Sequence, residues 1–357
     1  MRRDNKLTGR VQGDTVWLRA CRWLGWVLWG ASRGDNPAIL IGTVVVIVGV
    51  FAVVLRDTGF MTTANLLAIV RISTTITVMG AATVYVLCAS EIDLSIASIV
   101  PVSALIAAVL LSWHYHFLVA AGAAVAFGAL VGLVNGLATV LFGIPSFAVT
   151  LGSMGVMQGL AQIVTHTNTI PISDDQFLYW FGSGSVGSVP ILAFWSLGAL
   201  VIGELILSRT ALGRRVLATG ANASAARFSG VRTGRVKVGV MIASGAAGAL
   251  AGVLYDGQYG AGDFTLGSSD LLSVIAAAIV GGCSLSGGKG SVVGAVTASL
   301  LVGALNNGLI LAGFGAPEQL MVQGVIIVVA VAISSRNARG PLWRWLFALE
   351  ESRRDLN

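Results

Sequence analysis

Residues 209–237 read RTALGRRVLATGANASAARFSGVRTGRVK, with seven basic side chains (Arg209, Arg214, Arg215, Arg227, Arg232, Arg235 and Lys237) and no acidic one. This block interrupts an otherwise strongly apolar chain. A wholly basic stretch between apolar runs marks a cytoplasmic loop of a many-spanning membrane protein. It is also the surface on which a protein partner is expected to dock.

The rest of the chain fits that setting. Of its 357 residues 55% are hydrophobic and only 11% charged, and mean hydropathy is positive, which lies outside soluble globular composition. A protein core cannot absorb this much apolar surface, so lipid must. The charges gather at the ends and in loops, as the cost of an ion at mid-membrane requires. The net charge of +6 therefore describes cytoplasmic faces, and no nucleic-acid partner is expected. A nucleic-acid groove would interleave basic residues with aromatics, whereas the basic block holds one aromatic, Phe228. Cys21, Cys88 and Cys283 have no ligand spacing and read as packing residues. The first 37 residues lack the pattern of a cleaved signal peptide. Their basic and tryptophan residues from Trp17 through Trp29 suggest an interfacial helix before the first span.

A spanning helix needs about 20 mostly apolar residues. Ten stretches are candidates: roughly 38–56, 68–89, 96–113, 117–141, 147–165, 190–207, 238–255, 271–282, 291–311 and 320–334. The fold class is thus an all-α polytopic membrane protein with about ten helices, some broken; 271–282 is too short to cross unaided and needs sheltered irregular backbone beside it. The first 37 residues carry seven Lys/Arg against three acids, and the tail from Arg336 carries five Arg against three acids. With six crossings before the basic block and four after it, all three basic segments fall in the cytoplasm by the positive-inside rule. The outside segments 166–189 and 256–270 then hold Asp174, Asp175, Asp256, Asp263 and Asp270 with no Lys or Arg. The expected location is a bacterial cytoplasmic (inner) membrane, multi-pass, with both termini inside.

Small residues recur four apart at Gly128, Gly132 and Gly136 and at Ser244, Gly248 and Gly252, which lets helices approach closely in lipid. A faint internal echo relates Asp93-Leu94-Ser95 to Ser284-Leu285-Ser286, each entering a small-residue-rich helix.

Residues for recognition are few. Glu91, Asp93 and Ser95 set two carboxylates and a hydroxyl beside an embedded region; Asp93 can cap the following helix, or the group can form a gate on a substrate path. Phe142-Gly143-Ile144-Pro145-Ser146-Phe147 joins two spans, and Pro145 can open a helix at its first turn. Asn135, Gln158, Gln162, Asn306 and Asn307 offer neutral hydrogen bonds that suit either a polyhydroxylated solute or neighbouring helices. The glycine run 281–290 is not a phosphate loop, because Gly288-Lys289 is followed by Gly290 where Ser or Thr is required. It reads as a flexible re-entry between spans. No catalytic group or metal site can be assembled, and His114, His116 and His166 lie near outer span ends without fellow ligands. Within the basic block a short surface helix fits Ala223 to Phe228, bounded by Gly220 and Gly230.

These last residues, with the Glu91 to Ser95 segment, Asn135-Gly136, Pro145-Ser146-Phe147, Thr150-Leu151-Gly152, Ala276 through Gly290 and Asn307-Gly308-Leu309, resemble the membrane permeases of bacterial ABC importers for monosaccharides, the ribose, galactose and xylose group. The resemblance covers about residues 62–335. It implies a non-enzymatic permease subunit with no cofactor of its own, ATP and magnesium residing in partner subunits. Those partners would be a second permease subunit, two ABC ATPase subunits or a double-domain ATPase, and an extracellular solute-binding protein. Carried onto this chain, it makes 38–335 the transmembrane permease domain, 208–237 its coupling segment with a cytoplasmic coupling helix, 1–37 a cytoplasmic extension and 336–357 a cytoplasmic tail. Gly213, Gly220, Asn222, Ala225, Ser229 and Gly230 become the coupling surface, and Glu91, Asp93, Ser95, Asn135, Pro145, Phe147, Asn306 and Asn307 the candidate path or gate. Glycine is common in the family where this chain has Glu91 and Ala97. The implied cargo is a pentose or hexose, with a polyol, nucleoside or signalling sugar as alternatives and an ion-coupled secondary transporter as a further one.

Overall fold

The computed structural model describes residues 37–165 and 167–334; the interfacial helix expected around Trp17–Trp29, Cys21, His166 and the tail 336–357 lie outside the described residues. Helices α1 (Pro37–Val54), α2 (Thr63–Cys88), α3 (Ile96–Ser112), α4 (Phe117–Leu141) and α5 (Ser146–Thr165) follow one another with short turns. A crossing segment then carries strand β1 (Ile170–Pro171), the single-turn α6 (Asp175–Leu178), a π-turn over Tyr179–Ser183 and the small hairpin β2 (Ser185–Val186) and β3 (Val189–Pro190). Next come α7 (Ile191–Arg209), α8 (Ala211–Ala221), α9 (Ala223–Phe228) and α10 (Thr233–Tyr259). Strand β4 (Ala261–Gly262), α11 (Asp270–Val280), α12 (Val292–Leu311) and α13 (Ala316–Ser334) complete the described chain.

Six of these, α2, α4, α5, α7, α10 and α12, are long and apolar enough to cross a membrane by length and composition. The other apolar helices fall on the remaining expected spans but are shorter or less completely described. Helix α11 has 11 residues, about 16 Å at 1.5 Å per residue against a hydrocarbon core of ~30 Å. It is continued by the turn 281–290, as its length demands.

Helix α10 is the centre of the bundle, and its composition explains why. A β-carbon on Gly128 would lie 2.3 Å from the Gly245 carbonyl, and one on Gly132 would lie 2.2 Å from the Met241 carbonyl. On another face of α10, a β-carbon on Gly248 or Gly252 would lie 2.4 Å from the carbonyl of Ile96 or Val100. The two small-residue runs are thus the seams along which α4 and α3 press their backbones against α10, giving dispersion contacts that lipid alone would not supply. Helix α2 lines the opposite side, with Ile76 and Met79 buried among residues of α3, α11 and α12.

The helices alternate so that one end of the bundle gathers residues 88–95, the start of α5, α8, α9, the start of α10 and the turn 281–290. The link is covalently remote but short: Gly288 N–H donates to the Cys88 carbonyl at 3.0 Å, and Ser90 Oγ lies 3.4 Å from the Ser286 carbonyl. The segment that leads into Asp93-Leu94-Ser95 therefore touches the turn that holds Ser284-Leu285-Ser286. At the other end β1 pairs antiparallel with β4, Thr169 Oγ1 donates to Asp263 Oδ2 at 2.5 Å, and Asn65 meets Asn307. The basic block occupies the first end. The acidic residues 174, 175, 256, 263 and 270 occupy the second, where Arg56 precedes α2 and Arg71 lies two turns into it.

Candidate functional site

The first end of the bundle carries a knot of side chains on the connection between α2 and α3. The turn after α2 needs a left-handed residue, and Ser90 takes it at φ 60°. The chain then folds Glu91 inward, where it is buried and forms an ion pair with Lys237 of α10. Asp93 Oδ1 accepts from the Ser95 N–H at 2.9 Å and the Ser95 hydroxyl at 2.6 Å. This closes a turn just before α3 rather than capping its first N–H groups. Burial raises the Asp93 carboxyl above its usual range, against the Ser95 hydrogen bonds that pull it down. Ser95 Oγ in turn accepts from Asn135 Nδ2 of α4 at 2.9 Å.

Helix α5 is stitched to the same connection. Ser146 Oγ accepts from the Ile92 N–H at 3.0 Å, and Thr150 Oγ1 accepts from the Leu94 N–H at 3.1 Å. Pro145 opens this helix, with its carbonyl accepting from Ala148 N–H at 3.0 Å. The structure so brings Glu91, Asp93, Ser95, Asn135 and Pro145 to one place. Phe147, by contrast, is 52% exposed on the flank of α5.

Asn306 and Asn307 are not part of the knot. Asn307 and Asn65 exchange two side-chain bonds of 3.0 Å, and Asn306 Oδ1 accepts from Gln323 of α13 at 3.2 Å. Asn65 begins α2 and Glu91 follows its last turn, so the two groups are separated by the 26-residue helix, about 39 Å. Both asparagines are spent on bonds between helices, the other use open to them in the sequence.

The basic block folds as the sequence suggested, with the short helix α9 at Ala223–Phe228. Thr210 caps α8 by accepting from the Gly213 N–H at 3.3 Å, and Asn222 caps α9 by accepting from the Ala225 N–H at 3.0 Å. Ser229 Oγ returns a bond to the Ala225 carbonyl at 3.0 Å, and Gly230 ends the turn at φ 84°. Asn222, Ala225, Ser229 and Gly230 are exposed, whereas Gly213 is buried. Gly220 faces the bundle: a β-carbon there would stand 1.8 Å from the Cys88 carbonyl and 2.8 Å from Gly288 N. The turn 281–290 is therefore packed under α8, and its left-handed Gly287 and Gly288 shape that contact rather than leave a free loop.

Several participants escaped the sequence reading. Lys237 counts in the sequence only as loop charge, and Ser146 and Thr150, although part of the motifs that carry the family resemblance, give no sign there that they bond to the connection between α2 and α3. Phe228, 94% exposed at the end of α9, had a stronger one: a lone large aromatic in a basic surface loop.

The residues and their arrangement have counterparts among known proteins. Residues 59–331 match the family model described as branched-chain amino acid transport system / permease component. The chain is similar to the ribose import permease protein RbsC of Escherichia coli K12, 31% identical over 282 residues that cover 78% of this chain and 88% of the relative. It is also similar to the probable ABC transporter permease protein YphD of the same organism, 34% identical over 300 residues covering 84% and 90%. A third relative is the L-arabinose ABC transporter permease protein AraH of Azospirillum brasilense, 32% identical over 303 residues covering 84% and 88%. No solved structure matches the chain. On a family model spanning most of its length and relatives covered almost end to end, the chain belongs to the branched-chain amino acid transport system / permease component family of membrane permeases.

Proposed function

We propose that this chain is the membrane subunit of an ATP-driven ABC importer whose cargo is a monosaccharide, a pentose or hexose. Relatives whose names specify ribose, L-arabinose and D-allose support that cargo over the amino acids in the family description. The observation that carries the mechanism is the contact of Gly220 with Cys88 and Gly288. It ties α8, which runs straight into the exposed short helix α9, to the end of α2 and to the turn that follows α11. Push on α9 and the displacement reaches the Glu91–Lys237 pair and the Asp93–Ser95–Asn135 chain without passing through a flexible loop.

In this reading α9 is the coupling helix, with the exposed Asn222, Ala225, Phe228, Ser229 and Gly230 forming the surface that meets an ATPase partner, while Gly213 and Gly220 face inward and seat α8 against the bundle behind it. ATP and magnesium act in that partner, and this subunit does no chemistry. Ten crossings with both termini in the cytoplasm put the basic end of the bundle inside the cell. A second permease subunit and an extracellular solute-binding protein complete the assembly. The neutral hydrogen-bonding groups around Asn135 then form the inner gate, able to hold a hydroxylated solute weakly enough to release it.

The test is uptake by proteoliposomes containing the subunit with its ATPase and solute-binding protein, supplied in turn with pentoses, hexoses, polyols, nucleosides and leucine. ATP-dependent uptake of a pentose or hexose is expected. Uptake driven by an ion gradient without ATP, or preference for leucine, would overturn the assignment.

A further inference from the structure

A groove of about 1110 Å³ runs up one flank of the bundle. Its floor is α2, with Ala81, Ala82 and Tyr85, and its walls are α7 from Trp195 to Ile206 and α10 from Val236 to Leu250. The walls are apolar and built of small residues, among them Gly198, Gly239 and Ala243. At the basic end, and only there, the lining changes character: Arg215, Arg232 and Arg235 stand at the mouth. All three are exposed, and the carboxylate Glu91 is paired with Lys237 instead.

The dimensions identify an occupant. From Val236 to Leu250 the α10 wall rises about 20 Å, close to the depth of one leaflet with its headgroup region, half of ~40–45 Å. An apolar slot one leaflet deep, ending in three cations at headgroup level, is complementary to a lipid with a negative head. A zwitterionic lipid would fill the slot and leave the arginines without a net countercharge. An acidic patch of a soluble ATPase would meet the arginines and leave the slot uncovered. We propose that the groove binds one anionic glycerophospholipid, its acyl chains along α7 and α10 and its phosphate between Arg215, Arg232 and Arg235. Because Ser229 and Gly230 also line the mouth, the lipid head lies against the segment assigned above to coupling. The lipid site does not depend on that assignment.

The test is native mass spectrometry of the assembled importer, delipidated and then titrated with phosphatidylglycerol, phosphatidylethanolamine or inorganic phosphate. Phosphatidylglycerol is expected to be retained at least 10-fold more tightly than phosphatidylethanolamine. An arginine at an anionic headgroup is worth about 5-fold in affinity, so Arg232→Gln with Arg235→Gln should weaken phosphatidylglycerol about 25-fold. Arg214→Gln, which does not line the groove, should have a clearly smaller effect. Gly239→Phe should abolish retention by filling the slot, where an added β-carbon meets nothing within 4 Å. Equal retention of the two lipids, displacement by inorganic phosphate, or indifference to Gly239→Phe would overturn the proposal, the last two by revealing a simple anion site. So would efficient disulfide formation between two subunits carrying Ile202→Cys, which would make the groove a subunit interface.

Discussion

A β-carbon on Gly220 would stand 1.8 Å from a backbone carbonyl, a contact that no rotamer change can relieve because the backbone fixes the β-carbon and the atom it meets is main chain. Gly220→Val is therefore expected to displace α8 from α2 and cost more than the ~1–3 kcal/mol of ordinary overpacking. The measurements are the thermal midpoint of the purified subunit and co-purification of the ATPase; wild-type values for both would mean that α8 does not pack as described. Glu91 and Lys237 allow a sharper comparison. Lys237 keeps 27% of its side-chain surface, so losing its partner should cost less than a fully buried pair, about 1–3 kcal/mol. Glu91→Gln and Lys237→Met should each lower the thermal midpoint, and the double variant should lose less than the sum of the two. Strict additivity would show that the pair does not interact. Of these residues the sequence advertised Glu91 by its charge beside a membrane span. It gave no hint of the partner, since 146 positions separate the two and ion pairing carries no local pattern.

At the scale of elements, α9 is a six-residue helix too short to hold itself together by backbone bonds alone. Its stability comes from the Asn222 cap, the Ser229 bond to the Ala225 carbonyl and the one buried side chain, Ala226. This leaves Phe228 projecting with 94% of its surface exposed, a shape suited to a pocket on a partner, where a buried aromatic anchor is typically worth 2 kcal/mol or more. Phe228→Ala is expected to weaken ATPase association at least about 30-fold while leaving the subunit's thermal midpoint unchanged. An unchanged dissociation constant would remove α9 from the interface. The side on which α9 lies is tested by cysteines at Ser224 and Ser173. Ser173 should react with an impermeant maleimide in intact cells, and Ser224 only after the inner face is opened; labelling of Ser224 from outside would invert the topology. The short helix was legible before the fold because Gly220 and Gly230 punctuate a run of small residues inside the basic block. The breadth of the spans was legible from hydropathy, although α2 begins five residues earlier than its apolar run because Thr62 caps it by accepting from Asn65 N–H.

For the whole molecule, the question is which parts move together. The glycine seams of α10 with α3 and α4 make those three helices one block; the four-residue spacing of small residues announced close packing by α4 and α10 but not which helices would meet. Which block the polar residues join could not be read from spacing, because Asn135 and Asn307 have the same chemistry and only the fold separates a knot at the basic end from a brace at the other. Asn135 is 3% exposed and bonded to Ser95, so its position is shut in this conformation. If the knot is the inner gate, transport must break the Asn135–Ser95 bond once per cycle and admit water. A cysteine at Asn135 should then react slowly with a small water-soluble maleimide in the resting complex. It should react at least about 10-fold faster when ATP, solute and solute-binding protein are all supplied, and bound solute should slow it again. A cysteine at Phe147 is the reference: at 52% exposure on the flank of α5 it should keep one rate throughout if it faces lipid, and share the response of Asn135 if it lines the path. Should Asn135 stay unreactive during verified turnover, the Asp93–Ser95–Asn135 chain is a fixed brace between α3 and α4, and solute passes elsewhere in the permease.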